Sequence, residues 1–416
     1  MQHRGDRGAA PAQVWRFGVP SFHWSLSLFG LCLFTFSIVT YYINAGEIGA
    51  AIGLAGLLLQ LRTLRAPLPV WLYATFILWA FVASFASSYQ SIALDEVVEH
   101  LKLLAIMLII VNSLRTQGEL RFFLLFFLGC FILFPVRGTF IGGDNLAGRA
   151  VWNYIYKNPN DLATLCVLTL GIALGFTFSR ESPAIVRLGS GLSAVLLLVV
   201  MLRTQSRGAF IGVVVGMGPA LFWRAMKRPV RVLIVVTALA LIVGPQIPPS
   251  VWERLSGIEK LTSTSTIAEA DPEGSAAQRF EIKKVALRIF LANPVFGIGL
   301  GAYPYGNARY APELGRKDAH DTYLRLLAEV GLPGCLLWCA LIWSVLRFAV
   351  RQRKSSEDDF GAQQAWLERG LWGYLVAGMF GSFSKLTFPY LILAVIWCSA
   401  ALLPARAPAA KRPARS

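Results

Sequence analysis

Of the four histidines in this chain, His320 stands in the stretch KDAHDTYLRLLAEVGLPG, Lys317 to Gly334, just ahead of a long apolar segment. Asp318 is placed to cap a helix over 319–330, Asp321 occupies a favourable first-turn position, and Gly331 with Pro333 closes the helix. On that helix His320, Tyr323, Leu324 and Leu327 share a face. The positive end of the helix dipole holds an imidazole there toward its neutral form. Neutral imidazole is the form that can take a proton from a hydroxyl group. A structural histidine at a membrane interface is the competing reading of equal weight.

Two further stretches carry cations suited to an anion. In GSAAQRFEIKKVALRIFLANP, Ser275 and Gln278 form a capping box and Asn293-Pro294 a stop, which predicts a helix over 276–292. Arg279 falls in its first turn beside unpaired backbone N–H groups, an anion-binding arrangement. Lys283 lies near the Arg279 face, whereas Arg288 falls on the opposite face and reads as a solvated or headgroup-facing cation. In RTQSRGAF, Arg207 opens an apolar helix, and Gly208 and Ala209 after it permit close backbone approach. An interfacial arginine reaching for the lipid headgroups is the alternative for Arg207. In GRAVWNYIYKNPNDLA, Arg149, Lys157 and a capping Asn precede another apolar helix. Arg149, Lys157 and Asp321 remain polar neighbours without an assigned role.

The elements that must position these residues are membrane helices. The chain has 416 residues, 56% of them hydrophobic and only 15% charged, where soluble domains carry roughly a quarter charged. Spans of about 20 apolar residues fit near 22–43, 46–61, 69–88, 97–114, 121–136, 161–178, 187–203, 208–224, 230–248, 333–350, 369–384 and 386–403. The expected fold is all-α and polytopic, with twelve transmembrane helices. Residues 1–248 hold nine of them, 249–332 form one long loop with short helices, 333–403 hold three, and 404–416 form a tail. The alternation of a membrane barrel is missing from these windows.

Lysine and arginine set the orientation. With an inside N-terminus, the short inside loops carry Arg62 and Arg65, Arg115 and Arg121, Arg180 and Arg187, the run RAMKRPVR, the 347–369 loop and the basic tail. The first window follows a basic leader without a small-residue cleavage site and is read as a retained helix. The net charge of +16 is then largely topology and asks for no nucleic acid. Topology does not explain the outer cations, which gather at 137–160, at 203–207 and in the 249–332 loop.

Other motifs yield less. All six cysteines lie in apolar windows, so no disulfide framework or cysteine-based metal site is implied. Glu269, Asp271 and Glu273 alternate in a Pro-, Gly- and Ser-rich segment that reads as linker rather than a cation site. Gly297, Gly299 and Gly301 lack the strand before and the helix after that a dinucleotide fingerprint needs, and read as a tight, backbone-exposed turn. No internal repeat suggests the inverted halves of a transporter.

Taken in order, NPNDLA, SRGAF, QRFEIKKVALRIFLANPVFGIGLGAYP and HDTYLRLLAEVGLPG resemble the O-antigen ligase and polymerase superfamily. In that family the histidine is usually followed by Asn. Here Asp321 follows, which can still accept a hydrogen bond and orient the helix. The resemblance implies a fold of the membrane glycosyltransferase type (GT-C-like) in a Gram-negative inner membrane, with its active site on the periplasmic side. It implies Arg207 and Arg279 as ligands of a lipid diphosphate and His320 as the catalytic residue that activates the acceptor. The donor would be undecaprenyl-diphosphate-linked polysaccharide, the acceptor lipid A-core, and the transfer inverting, with neither metal nor cofactor. Arginine suits the diphosphate because its planar fork donates two hydrogen bonds at fixed geometry.

Twelve helices with one long outer loop resemble the ligases more than the polymerases, which are expected to have more helices and two sizeable loops. A polymerase using the same lipid-linked donor is the runner-up. A transporter or channel for an anionic solute would use the arginines as a selectivity ring. It expects ionisable groups midway along helices, and Lys102, close to Glu99, is the only clear cation inside a window.

Overall fold

The structure is a computed structural model that describes residues 23–227, 275–355 and 359–403, apart from 42, 44, 147 and 385 and the side chains of 145 and 275–277. The expected ninth span, the carboxylate-bearing segment 249–274, both termini and the capping side chain of Ser275 lie outside the described residues. The helices are α1 (Leu26–Thr40), α2 (Gly46–Leu58), α3 (Leu68–Ser84), α4 (Gln90–Ser113), α5 (Gln117–Phe140), α6 (Pro159–Thr177), α7 (Ala184–Thr204), α8 (Arg207–Lys227), α9 (Ser275–Ala292), α10 (Tyr303–Tyr310), α11 (Thr322–Lys354), α12 (Asp359–Ala377) and α13 (Thr387–Ala401). Five of them, α5 to α8 and α11, are long and apolar enough to cross a membrane, and α1, α2, α3 and α13 are shorter apolar helices. The protein is thus a mostly helical, polytopic membrane protein.

Local sequence explains the ends of these helices. Thr116 and Glu119 form a reciprocal capping box at α5. Asn158 caps α6, with Pro159 at its first position. Near its end α5 passes through a wider π turn at Ile132–Val136, where Pro135 cannot donate to the helical ladder. One departure from an all-α chain is a two-stranded antiparallel hairpin, β1 (Asn145–Leu146) with β2 (Arg149–Ala150), pairing Leu146 with Arg149.

Helix α12 departs from the expected window. Hydropathy places a span at 369–384 after a basic loop, yet the helix runs Asp359–Ala377. The charge in its first half is paired: Glu368 is buried and accepts three hydrogen bonds of 2.9–3.2 Å from Arg353 at the end of α11. A hydropathy window counts such charges as loop because it cannot see their partner.

Small residues let the helices around α12 pack backbone to backbone. A Cβ on Gly212 of α8 would come within 2.4 Å of the Gly373 carbonyl oxygen, and one on Gly171 of α6 within 2.7 Å of the Trp366 carbonyl oxygen. Helix α12 therefore stands between α6 and α8. The turn that follows it, 378–383, is fixed at the end of the bundle where α8 begins and α11 starts. That turn is the floor of the site.

Candidate functional site

Three chain segments meet at the 378–383 turn. The start of α11 docks through Thr322, whose backbone N–H donates to the Gly378 carbonyl (2.8 Å). Its hydroxyl donates to the Gly381 carbonyl (2.7 Å) and accepts from the Phe383 N–H (2.9 Å). Helix α9 docks through Lys283, whose ammonium donates to the Met379 carbonyl and to Asp321 Oδ2, both at 2.9 Å. The start of α8 docks where a Cβ on Gly208 would lie 2.7 Å from Phe380 Cβ. That clearance is why a glycine follows Arg207.

His320 sits in the loop above this floor, not on the helix. Helix α11 begins at Thr322, and its N-cap is Asp321, whose side chain accepts from the N–H groups of Tyr323 and Leu324 at 3.1 Å. The expected cap, Asp318, and the expected face shared by His320 with Tyr323, Leu324 and Leu327 are both corrected by this. His320, before Asp321, turns the chain with φ +50°, a left-handed conformation that a non-glycine residue rarely adopts. The expected close is observed: Gly331, at φ +68° and ψ −174°, breaks the helix before Pro333.

The bend at His320 is held from both sides. Downstream, Asp321 is tied to the helix end and to Lys283. Upstream, both oxygens of Asp318 accept from Nη1 of Arg325 at 3.0 Å, and Oδ1 also accepts from the Ala319 N–H at 2.8 Å. Arg325, which reads from sequence as one more outward cation, is buried. Its Nε donates to Glu329 Oε1 at 3.0 Å, and the same oxygen accepts from the Tyr303 N–H at 3.1 Å. The Glu329 carbonyl accepts from Gly299 and the Ala328 carbonyl from Ile298, both at 2.9 Å. The glycine turn before α10 is therefore buried against α11 rather than backbone-exposed. Gly297, Gly299 and Gly301 all have positive φ, and a Cβ on Gly299 would lie 2.6 Å from Ser87 Oγ.

The imidazole is held below its ordinary pKa, first by burial and then by the positive charge of Arg279, with Lys283 and Lys317 adding to it and Asp318 opposing. The direction agrees with the sequence argument, but burial and neighbouring cations are the causes. Arg279 and Lys283 lie on the side of α9 that faces His320, while Arg288 is exposed on another side.

Arg207 opens α8. The residues just before it are fixed by contacts that sequence reasoning did not identify. Gln205 closes α7 in the left-handed conformation (φ 53°), and its side-chain amide donates to the Gly148 carbonyl at 3.2 Å. Arg149 of the hairpin donates through Nε to the Thr204 carbonyl (2.7 Å) and through Nη2 to Asn160 Oδ1 (2.8 Å). Arg149 thereby joins the end of α7 to the start of α6. Asp161, next along α6, lies within electrostatic reach of Asp318. Arg207 itself is half-buried and meets no hydrogen-bond or ion-pair partner among the described residues. Of the sequence candidates, Arg279 lies within electrostatic reach of His320, and Arg207 reaches the same turn through its neighbour Gly208. Lys157 is exposed, on the short turn before α6. Among the described residues no group of three His, Cys, Asp or Glu could hold a metal ion.

The chain is a helical membrane bundle with a histidine within electrostatic reach of Arg279, Lys283 and Lys317 at one end. Residues 192–339 match the family model described as O-Antigen ligase, which bears out the resemblance to the O-antigen ligase and polymerase superfamily. The matched stretch contains Arg207, Arg279 and His320, whereas Arg149, Asn160, Asp161 and the 378–383 turn lie outside it. No curated protein matches the chain. The match shows what this stretch of the chain, 192–339, is similar to.

Proposed function

We propose that the protein is an O-antigen ligase, which moves polysaccharide from undecaprenyl diphosphate onto lipid A-core at the periplasmic face of a Gram-negative inner membrane. The observation that carries the reading is the single turn, 378–383, on which the Arg207, Arg279 and His320 segments converge. In this reading residues 249–332 form the periplasmic part between the ninth and tenth of twelve spans.

The acceptor hydroxyl oxygen attacks the anomeric carbon of the donor sugar from the side opposite the diphosphate. The new carbon–oxygen bond forms as the bond to the diphosphate breaks, and the configuration inverts. The electron pair leaves with undecaprenyl diphosphate, and the hydroxyl proton passes to His320. Arg207 and Arg279 stabilise the negative charge gathering on the leaving oxygens, a role for which the guanidinium fork is suited. No step of this scheme calls for a metal. Neutral His320 is ready to accept a proton because burial, and then the charge of Arg279, disfavour the imidazolium.

The test is the surface polysaccharide of a deletion strain. Loss of long chains from lipid A together with accumulation of lipid-linked polymer supports the ligase. Lipid A bearing single repeat units would make the protein a polymerase using the same donor.

A further inference from the structure

At the end of the bundle away from the His320 loop, two arginines lie on an aromatic platform. Phe178, just beyond α6, and Trp366 of α12 stack at 5.2 Å between ring centroids. The Arg224 guanidinium lies 4.5 Å from the Phe178 centroid and 5.7 Å from that of Trp366, and Arg369 lies 4.7 Å from Trp366. Arg224 stands 17 residues beyond Arg207 on one helix, so the two ends are roughly 26 Å apart at about 1.5 Å per residue. That distance approaches the thickness of a bilayer core.

Positive charge at one end of a membrane bundle is expected of its short loops. What that rule does not explain is the convergence. Arg224 lies within electrostatic reach of both Arg180 and Arg369. The carboxylates nearby are engaged elsewhere. Asp359 accepts from Ser179 Oγ (2.5 Å) and from the N–H groups of Arg180 (2.9 Å) and Glu181 (3.3 Å). Glu368 is held by Arg353 and Glu181 by Arg121. Asp359 offsets Arg224 only through space. Beyond these rings, the Arg224 and Arg369 guanidinium groups meet no hydrogen-bond acceptor among the described residues. Like charges held together in this way call for an anion with several acceptor oxygens.

The surroundings identify the source. Phe222, Trp223 and Met226, on the same turn of α8 as Arg224, are exposed large apolar side chains, the composition of a helix end that sits among lipids with Trp at headgroup level. We propose that Arg224 and Arg369, with Arg180, hold the phosphate of an anionic phospholipid headgroup at this end of the bundle. The ligand chemistry is a phosphodiester, and the lipid rather than free phosphate supplies it because the neighbouring side chains suit acyl chains.

Full-length protein in phosphatidylcholine nanodiscs, with and without phosphatidylglycerol, tests this independently of the transferase reading. The wild type is expected to retain phosphatidylglycerol through native mass spectrometry and to unfold at a higher temperature in its presence. R224Q/R369Q is expected to retain about tenfold less, the equivalent of losing roughly 1.4 kcal/mol of binding, and to lose the thermal gain. If the double variant does not insert, R224Q alone is read in the same way. Equal retention by wild type and variant would overturn the proposal. So would an equal thermal gain from inorganic phosphate added to phosphatidylcholine discs, which would make the site one for free anions.

Discussion

Both carboxylate oxygens of Asp318 accept from one nitrogen of Arg325, seven residues further on, at 3.0 Å each. The contact spans His320 and its left-handed bend, so the buried arginine sets where the loop before α11 can go. Arg325 is a positioning residue for His320, acting through Asp318.

Replacing Arg325 with Met would leave Glu329 buried without its partner, and loss of one member of a buried pair costs about 3–5 kcal/mol. Thermal unfolding of the purified variant checks this. Arg325→Met combined with Glu329→Leu should recover much of the stability, because no buried charge then stands alone. Transfer per folded molecule should stay low in the double variant, since Asp318 still lacks its anchor. Recovery of activity along with stability would reduce Arg325 to a purely structural role.

Arg207→Lys and Arg279→Lys should each lower transfer by about tenfold or more, because an ammonium does not reproduce the two-point fork. Arg288→Lys, on an exposed side of α9, should transfer normally. Polysaccharide attached per unit of membrane-inserted protein is the measurement. Equal losses in all three would refute the argument from helix facing.

The acid limb of the pH–rate profile should fall below the ordinary histidine value of 6.5, because burial and then Arg279 hold the His320 pKa down. The sign follows from which form works: a lowered pKa keeps imidazole neutral to lower pH, so activity is lost only when the pH drops through that lowered value. Lys283→Gln removes one of the cations that disfavour protonation, and the limb should move to higher pH. A shift to lower pH would contradict the assignment of the limb to His320.

Much of this was legible in the chain. Asn158-Pro159 starts α6, Asn293 follows the last residue of α9, and Gly331 breaks α11 where turn chemistry places them. The start of α12 was hidden because Glu368 finds Arg353 across a helix connection, a long-range pairing that local hydropathy cannot register. The bend at His320 was hidden for a related reason. Two Asp residues compete to cap α11, and the choice is made by Arg325 and Lys283. One signal was available: Arg325 and Glu329 stand at i,i+4 spacing in an otherwise apolar stretch, which marks a pair rather than a solvated cation. Nothing local announces the tie from Arg149 to Thr204 and Asn160.

The proposed topology puts Glu313 outside the membrane and Ser355 inside. With native cysteines removed, a cysteine at Glu313 should react with an impermeant maleimide in intact cells and one at Ser355 only after lysis. The reverse pattern would invert the bundle and remove the periplasmic site with it.

The most direct test of the central claim is the turnover of His320→Ala with lipid-linked donor and lipid A-core acceptor, beside its affinity for the donor alone. Loss of general-base assistance is worth about 10²–10⁴ in rate, while the proposed mechanism gives the diphosphate contacts to Arg207 and Arg279. The variant is expected to be folded and membrane-inserted, to bind donor about as well as the wild type and to transfer at a rate lower by that factor. Near-normal turnover by well-folded His320→Ala would contradict it.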